Sequence, residues 1–269
     1  MKVKYVSERE QPELHRMVGE LTTKAGISKP RVAISELAIP NAFAFGRTRA
    51  DARVCVTRGL MQLLSWEELR AVLGHEISHV KHRDMMMITL LSVLPMICYY
   101  IAISCMFAGI FGGRSRSSGQ GGSTLQLIGL GMLILYFITN LLVLYGSRIR
   151  EYYADRGSTQ LGNQPHDLAT ALYKLAYGKA RVPKESFKRV EGVKAFFVND
   201  PSRALTEVRE LKEVDTDMSG TIDADELAAL RVKSMHLGTS DKLMELFSTH
   251  PNMLKRIKHL SSLMFERTL

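Results

Sequence analysis

Cysteine is scarce in this sequence, and its spacing argues against a disulfide framework. The chain has 269 residues but three cysteines, Cys55, Cys98 and Cys105, and no CxxC pattern. Cys98 and Cys105 lie in an apolar run, where we expect them to pack as small hydrophobic side chains.

Aromatic residues are also sparse, at 7%, and they do not cluster between arginines and lysines. The net charge is +9, but the basic residues are spread along the chain and several flank apolar runs. This pattern favours a membrane surface as the anionic partner, and we expect no nucleic-acid partner. No cleavable signal peptide is expected, because a charged amphipathic segment directly follows Met1 to Ser7.

Charged residues are absent from two long stretches. None occurs between Asp84 and Arg114, and none occurs from Ser117 to Ser147. Each stretch is long enough to span a bilayer, and Pro95 predicts a kink in the first. We therefore predict a two-helix transmembrane hairpin.

The predicted second span covers 125–146, and a loop rich in glycine and serine over 112–123 connects it to the first. The alternative is a helical hairpin buried in a large soluble core. The rest of the chain contains too little apolar sequence to cover two such helices, so the membrane interpretation is favoured.

The basic residues around the spans predict their orientation. Four lie outside the hairpin and two lie in its loop: Lys81, Arg83, Arg148 and Arg150 against Arg114 and Arg116. The more basic side of a membrane protein usually faces the cytoplasm. We therefore expect a multi-pass protein of the cell membrane whose remaining residues face the cytoplasm.

A metal-binding motif precedes the first span. The sequence Gly74-His75-Glu76-Ile77-Ser78-His79 has the form HExxH, and capping-box residues Ser65 and Glu68 predict that it lies in a helix. His75 and His79 then share one helix face and can hold one Zn²⁺, while Glu76 can act as a general base. The alternative is two surface histidines on an amphipathic helix.

A second acidic pair follows the second span. Glu151 and Asp155 lie four residues apart on a predicted helix. Glu151 can supply the third protein ligand that a zinc site requires, and Asp155 can accept a hydrogen bond from a ligating histidine. The alternative is a pair of surface carboxylates beside arginines.

The remaining periodicity predicts an α+β fold that is mainly helical with a small sheet. Apolar residues at helical spacing over 14–21 predict an amphipathic helix, and strands are predicted at 31–35, 41–46 and 53–57. Pro40 indicates that the second strand lies at a sheet edge.

Residues 215–226 match the twelve-residue loop of an EF-hand, with Gly220 at its sharp turn. The oxygen donors at the liganding positions are Asp215, Asp217, Ser219, the Thr221 carbonyl, Asp223 and Glu226. We therefore predict an inserted helix-loop-helix at about 204–233 that binds Ca²⁺. The alternative is an acidic, solvated loop.

Several separate motifs resemble one known family. They are GHEISHVKHRD, the apolar hairpin, SRIREYYAD, PNAFA from Pro40, VTRGL from Val56, and STHP from Ser248 followed by Arg256-Ile257. In this order they resemble the HtpX-type membrane zinc metalloproteases, which are gluzincin-type enzymes related to type I CAAX prenyl endopeptidases. Members commonly carry a further N-terminal membrane hairpin, so the resemblance leaves the total membrane topology open.

The resemblance implies a zincin-like domain with one Zn²⁺ per chain. The ligands that it implies are His75, His79 and Glu151. It also implies that Glu76 is the base and that His250 and Arg256 lie close to the ligands and the substrate carbonyl. Its members act on membrane proteins, often damaged ones, in cytoplasmic parts.

We therefore expect a membrane zinc endopeptidase whose catalytic domain consists of 1–84 and 148–269, with the hairpin at 85–147 between them. A substrate peptide would pair with an edge strand formed by Asn41, Ala42, Phe43 and Ala44. His250 would donate to the developing oxyanion. The competing hypothesis is a non-catalytic, calcium-responsive membrane scaffold.

Overall fold

The computed structural model describes residues 3–46, 48–111, 121–181, 211, 214–231 and 244–266. The chain forms two compact units, one made of 1–85 with 148–269 and the other of 86–147. The described strands are β1 Val3–Tyr5, β2 Arg31–Ser35, β3 Ala42–Phe45 and β4 Arg53–Thr57. The described helices are α1 Pro12–Ala25, α2 Arg58–Leu63, α3 Trp66–His82, α4 Asp84–Leu91, α5 Val93–Phe111, α6 Gly121–Gln160, α7 Pro165–Arg181, α8 Ala224–Ala229 and α9 Met253–Glu266.

The predicted fold class, mainly helical with a small sheet, is confirmed. Among the described residues the strands form one sheet in the order β1-β2-β4-β3, with β2 and β4 parallel and the other pairs antiparallel. The three predicted strands are present, and β3 lies at an edge of this sheet. The sequence patterns missed β1, because three residues are too few to show an alternation.

The helix that carries the HExxH motif begins where the sequence predicts. The Ser65 side chain accepts from the Glu68 amide, and the Glu68 side chain accepts from the Ser65 amide, which forms the capping box. Apolar side chains of α3 pack in the core with those of α1 and α7. The helix therefore holds its histidines on a buried, rigid support.

Two glycines let α3 and the last part of α6 approach closely. A Cβ at Gly74 would lie 2.2 Å from the Asn163 amide nitrogen, and a Cβ at Gly157 would lie 2.0 Å from the Ser78 hydroxyl. The Ser158 hydroxyl also donates to the Ala71 carbonyl across this contact, at 2.6 Å. This packing brings the motif helix next to the helix that carries the second acidic pair.

The second unit consists of apolar helices. In the described part of the chain two segments, Asp84–Ile110 and Ser123–Gln160, are long and apolar enough to cross a membrane, and few of their residues are buried. A helix break falls at Ser92, because Pro95 has no amide to donate to the carbonyl four residues earlier. The exposure of these helices does not fit the alternative of a buried soluble hairpin.

The predicted EF-hand-like segment is described only in part. The loop runs from Val214 to Asp223 and leads into α8, whereas residues 204–210, which would belong to the incoming helix, lie outside the described residues. The loop is attached to α7 through the Thr170 hydroxyl, which accepts from the Ile222 amide and donates to the Ile222 carbonyl, each at 2.9 Å. The predicted helix-loop-helix is thus not shown.

Candidate metal centre

The two histidines of the HExxH motif face each other at the surface of α3. Their Nε2 atoms lie 3.1 Å apart, and their rings meet edge to face. Four residues of α-helix bring both side chains to one face, as the motif predicts. Both rings are largely enclosed, with His75 exposing 4% of its surface.

Glu151 reaches the same point from α6. One of its carboxylate oxygens lies 3.6 Å from His75 Nε2 and the other 3.6 Å from His79 Nε2. One ligand atom from each of these three residues falls within 4.8 Å of the others. The structure thus brings together the three residues that the sequence suggests as zinc ligands.

The protonation pattern of this cluster suits a cation. His75 Nδ1 lies 2.9 Å from an Asp155 oxygen, and His79 Nδ1 lies 2.6 Å from an Asp84 oxygen, so each Nδ1 carries the proton. Both Nε2 lone pairs then point at each other. Two such lone pairs at this distance repel unless a proton on one ring or a metal ion lies between them.

The buried atoms and their spacing also fit zinc. Glu151 Oε2 is buried and makes no hydrogen bond among the described residues. Ligand atoms bound at about 2.0–2.1 Å to a tetrahedral zinc lie roughly 3.4 Å apart, between the 3.1 and 3.6 Å observed here. We conclude that the residues present fit a zinc ion.

Burial affects the two histidines differently. Burial lowers the pKa of His79, which keeps that ring neutral. Burial also acts to lower the pKa of His75, but the neighbouring carboxylates of Asp155 and Glu151 outweigh it and raise the pKa to about 9. The cluster therefore attracts positive charge at His75.

Arg256 and Asp155 form a buried ion pair behind His75. The Arg256 guanidinium donates from Nε and Nη2 to the two Asp155 oxygens at 2.9 and 2.6 Å, a bidentate arrangement. Its Nη1 lies 3.0 Å from Glu151 Oε2 but outside hydrogen-bond geometry. Arg256 thus contacts both acidic residues of the centre, as the family resemblance implies.

Asp84 is a residue of this site that sequence reasoning missed. It contacts His79, and its second oxygen pairs with Arg150. The sequence offered a signal in the letters HRD directly after the motif helix, but Asp84 was treated there as the last charge before the first span. Nothing in the spacing showed that Asp84 contacts His79.

Glu76 is buried between the metal ligands and the sheet. Its Oε2 accepts a hydrogen bond from the Ala44 amide at 2.9 Å. Burial raises the pKa of this carboxyl, in part against the opposing charge of the neighbouring histidines. A buried carboxylate beside a metal site has the position and the raised pKa of a general base.

The edge strand β3 directs two backbone amides away from the sheet. The Thr57 amide donates to the Asn41 carbonyl, so residues 41, 43 and 45 bond to β4 and the amides of Ala42 and Ala44 face outward. Phe43 packs on the opposite face with Cys55. The structure thus places the predicted substrate edge next to Glu76.

His250 also reaches the metal centre. Its Nδ1 lies 3.2 Å from Glu151 Oε1. The segment before it is held by Arg148, whose Nη1 donates to the carbonyls of Glu245, Leu246 and Ser248 at 2.8, 3.1 and 2.8 Å. Sequence reasoning assigned Arg148 to the membrane flank, and its contacts show a further role in holding this loop.

The carboxylates of the acidic loop gather apart from this centre. One oxygen from each of Asp215, Asp217 and Glu226 lies within 4.8 Å of the others. Asp215 also accepts from the Tyr173 hydroxyl at 2.6 Å. Glu226 is engaged in the α8 capping box with Asp223 and accepts from the Thr216 amide. Ser219 and Thr221 bond to each other, so each loop donor already has a partner within the chain.

Comparison with known proteins identifies the family. The model of peptidase family M48 matches residues 8–264, nearly the whole chain. The chain belongs to peptidase family M48. This confirms the resemblance drawn from the sequence motifs.

Individual relatives of this chain are consistent with its membership of family M48. It is 59% identical over 175 residues to the "Protease HtpX homolog" of Methanothermobacter thermautotrophicus, an alignment that covers 65% of this chain and 63% of that protein. It is 37% identical over 261 residues to "Protease HtpX homolog 2" of Methanosarcina mazei, which covers 97% of this chain and 76% of that protein.

A solved structure shares the fold. The crystal structure of S. mikatae Ste24p matches with a TM-score of 0.53 and 17% identity, and the match covers 96% of this chain and 52% of that one. At this identity the match supports only the fold of this chain. The assignment of its metal centre depends on the residues described above.

Proposed function

We propose that the protein is a membrane-bound zinc-dependent endopeptidase. The observation that carries this proposal is the convergence of His75, His79 and Glu151 on one point, with the buried Glu76 carboxylate beside it. Zinc held by these three residues supplies a Lewis acid that polarises the scissile carbonyl and makes a water molecule more acidic.

Glu76 takes the proton of the attacking water in this mechanism. Its raised pKa lets the same group later return a proton to the leaving amine. The bond from the Ala44 amide fixes the position of the carboxylate. The base is therefore held in place before a substrate binds.

His250 stabilises the charge that develops on the substrate carbonyl oxygen. In the ring form that carries a proton on Nε2, this nitrogen would donate to that oxygen, while Nδ1 lies 3.2 Å from Glu151 Oε1. Arg148 holds the segment that carries His250, and Arg256 orients Asp155 behind His75. Arg148 and Arg256 therefore act in this mechanism by positioning other residues of the site.

The substrate is an extended peptide that pairs with β3. The outward amide of Ala42 offers a main-chain hydrogen bond, while the outward amide of Ala44 is already bonded to Glu76. Main-chain pairing requires no particular side chain and so gives broad specificity. We infer that the substrates are membrane proteins, often damaged ones, cut on the cytoplasmic side, as in protein quality control. The apolar helices support action at a membrane and the names of the HtpX relatives support a protease, while the role in quality control rests on the family resemblance of the sequence motifs.

A calcium site in the acidic loop is a further proposal, favoured by the carboxylates of Asp215, Asp217 and Glu226. Calcium bound there would stabilise the loop against α7, to which Thr170 and Tyr173 attach it. The competing hypothesis of a non-catalytic scaffold is not favoured, because Glu76 and every proposed zinc ligand are present and converge.

One experiment tests the main proposal. The full chain is purified in lipid nanodiscs, its zinc content is measured by elemental analysis, and cleavage of a casein-type substrate is followed with and without a chelator. We expect about one zinc per chain and cleavage that stops on chelation and returns with zinc. Protein that holds zinc but cleaves nothing would favour the scaffold.

A further inference from the structure

Each histidine of the metal centre is backed by a carboxylate that is itself paired with an arginine. Asp155 and Arg256 lie behind His75, and the sequence analysis already connected both residues with the metal site. Behind His79 stand Asp84 and Arg150, which sequence reasoning did not connect with the site. The His79–Asp84–Arg150 arrangement has the same histidine, carboxylate and guanidinium groups as the His75–Asp155–Arg256 arrangement, but its carboxylate and arginine come from different positions in the chain.

The contacts of Asp84 are those of an orienting carboxylate. Its Oδ2 lies 2.6 Å from His79 Nδ1, its Oδ1 pairs with Arg150 Nη2, and 7% of its surface is exposed. The same Arg150 nitrogen donates to the His82 carbonyl at 3.2 Å, near the end of α3. Both oxygens of Asp84 are therefore committed, one to the histidine and one to the arginine.

The backbone bends to make this contact. Arg83 caps α3 in the left-handed conformation, with φ of 58°, which residues other than glycine seldom adopt. Asp84, which directly follows this residue and lies five residues beyond His79, contacts the His79 ring. An unfavourable conformation persists where surrounding contacts hold it in place, and here the Arg83 amide bonds to the carbonyls of His79 and Val80.

We propose that Asp84 and Arg150 are positioning residues that orient His79 for metal binding. This inference rests on the proposed zinc site. Asp84 accepts a hydrogen bond from Nδ1–H of His79, which fixes the tautomer with Nε2 directed at the metal, and Arg150 holds the carboxylate in place. Asp84 immediately precedes the first charge-free stretch, and Arg150 closely follows the second. The Asp84–Arg150 pair therefore links the residues that flank the two apolar stretches to His79.

Zinc affinity is the property that separates this role from a merely structural one. We would compare Asp84→Ala, Asp84→Asn and Glu68→Gln in the full chain in nanodiscs. Glu68→Gln is the control, because the Glu68–Lys174 ion pair does not touch a histidine and is exposed to a similar degree. The side chains of Glu68 and Lys174 are 8% and 23% exposed, and those of Asp84 and Arg150 are 10% and 23% exposed. Glutamine also preserves the capping box of α3.

We expect Asp84→Ala to weaken zinc binding about 10- to 100-fold in competition with a chelator. Asp84→Asn should weaken it less, because its amide oxygen still accepts from Nδ1 but carries no charge. Glu68→Gln should bind zinc as the original chain does, even where its melting temperature falls by as much as that of Asp84→Asn. Equal zinc affinity of Asp84→Asn, Asp84→Ala and the original chain would overturn the proposal.

The result is independent of peptide cleavage. A chain that binds zinc and cleaves nothing would contradict the proposed function, while weaker zinc binding in the Asp84 variants would still support the orienting role. An Asp84→Ala variant too unstable to purify leaves the comparison between Asp84→Asn and Glu68→Gln. Equal affinity in those two would overturn the proposal.

Discussion

The Glu76 carboxylate accepts a 2.9 Å hydrogen bond from the backbone amide of Ala44, which joins the proposed general base to the free edge of the sheet. That amide faces away from β4, as does the amide of Ala42, which is the one that would meet a substrate peptide. The edge and the base therefore form one unit. A peptide that pairs with β3 has its backbone delivered beside the residue that activates water.

The first prediction concerns this base. Glu76→Gln keeps the shape of the side chain and can still accept from Ala44, but its amide cannot take a proton. We expect the turnover number to fall by at least about 100-fold, in line with general-base catalysis. Elemental analysis should show unchanged zinc. Cleavage at the original rate would rule out Glu76 as the base.

The second prediction separates the third ligand from the residue behind His75. Glu151→Ala removes the carboxylate that lies 3.6 Å from both histidine nitrogens, so zinc occupancy should be lost. Asp155→Asn should reduce zinc affinity by about 10- to 100-fold, because it removes charge but keeps an acceptor for His75. Chelator competition on both variants measures the difference. Stoichiometric, tightly held zinc in Glu151→Ala would mean that another residue completes the site.

The third prediction concerns Arg148. Replacing it with alanine leaves the carbonyls of Glu245, Leu246 and Ser248 without this donor, so the segment that carries His250 should shift. A displaced catalytic group costs about 10- to 100-fold in rate, so turnover should fall while zinc content holds.

Arg58→Ala is an exposed arginine control for Arg148→Ala. Arg58 pairs with the exposed Glu36 at 3.2 Å and does not contact the His250 segment. We expect near-original turnover from this control, since exposed ion pairs contribute about 0–1 kcal/mol. An Arg148→Ala variant as active as this control would show that the segment holds its position without the guanidinium.

The fourth prediction concerns calcium at the acidic loop. Glu226→Gln should weaken calcium binding most, because position twelve normally supplies two oxygens. The control is Asp225→Asn, which removes a neighbouring charge from a position that is not a ligand. Melting temperature and peptide cleavage are both followed during the titration.

Three outcomes of the calcium titration are distinguishable. A melting temperature that rises without a change in rate indicates a structural site. A rate that rises as well indicates that calcium binds the assembled catalytic state more tightly. No response at about 1 mM calcium, with no difference between Glu226→Gln and the original chain, would show an acidic turn that does not bind calcium.

The sequence anticipated the local features of the fold well. The capping box of Ser65 and Glu68 and the shared face of His75 and His79 both follow from helix geometry, which depends on residues three or four positions apart. The edge position of β3 followed from Pro40 before it. Interactions of this range can be read from spacing alone.

The prediction of a cytoplasmic orientation counted two arginines that also make contacts within the fold. Arg148 donates to three backbone carbonyls, and Arg150 pairs with Asp84. A count of basic residues beside a span cannot distinguish a side chain that meets lipid headgroups from one that holds a loop or orients a ligand. The cytoplasmic orientation therefore stays a prediction.

The sequence by itself determined the motif helix, the apolar stretches and the family, because each rests on local spacing or on the order of motifs along the chain. Only the tertiary structure decided which distant groups meet: Arg256 with His75, which lie 181 residues apart, Ala44 with Glu76, and the Asp84–Arg150 pair with His79. The physical reason is close packing. The close approach of α3 and α6 at Gly74 and Gly157 brings Glu151 and Asp155 to the histidines, Ala44 and Arg256 come from separately packed elements, and no sequence spacing encodes those distances.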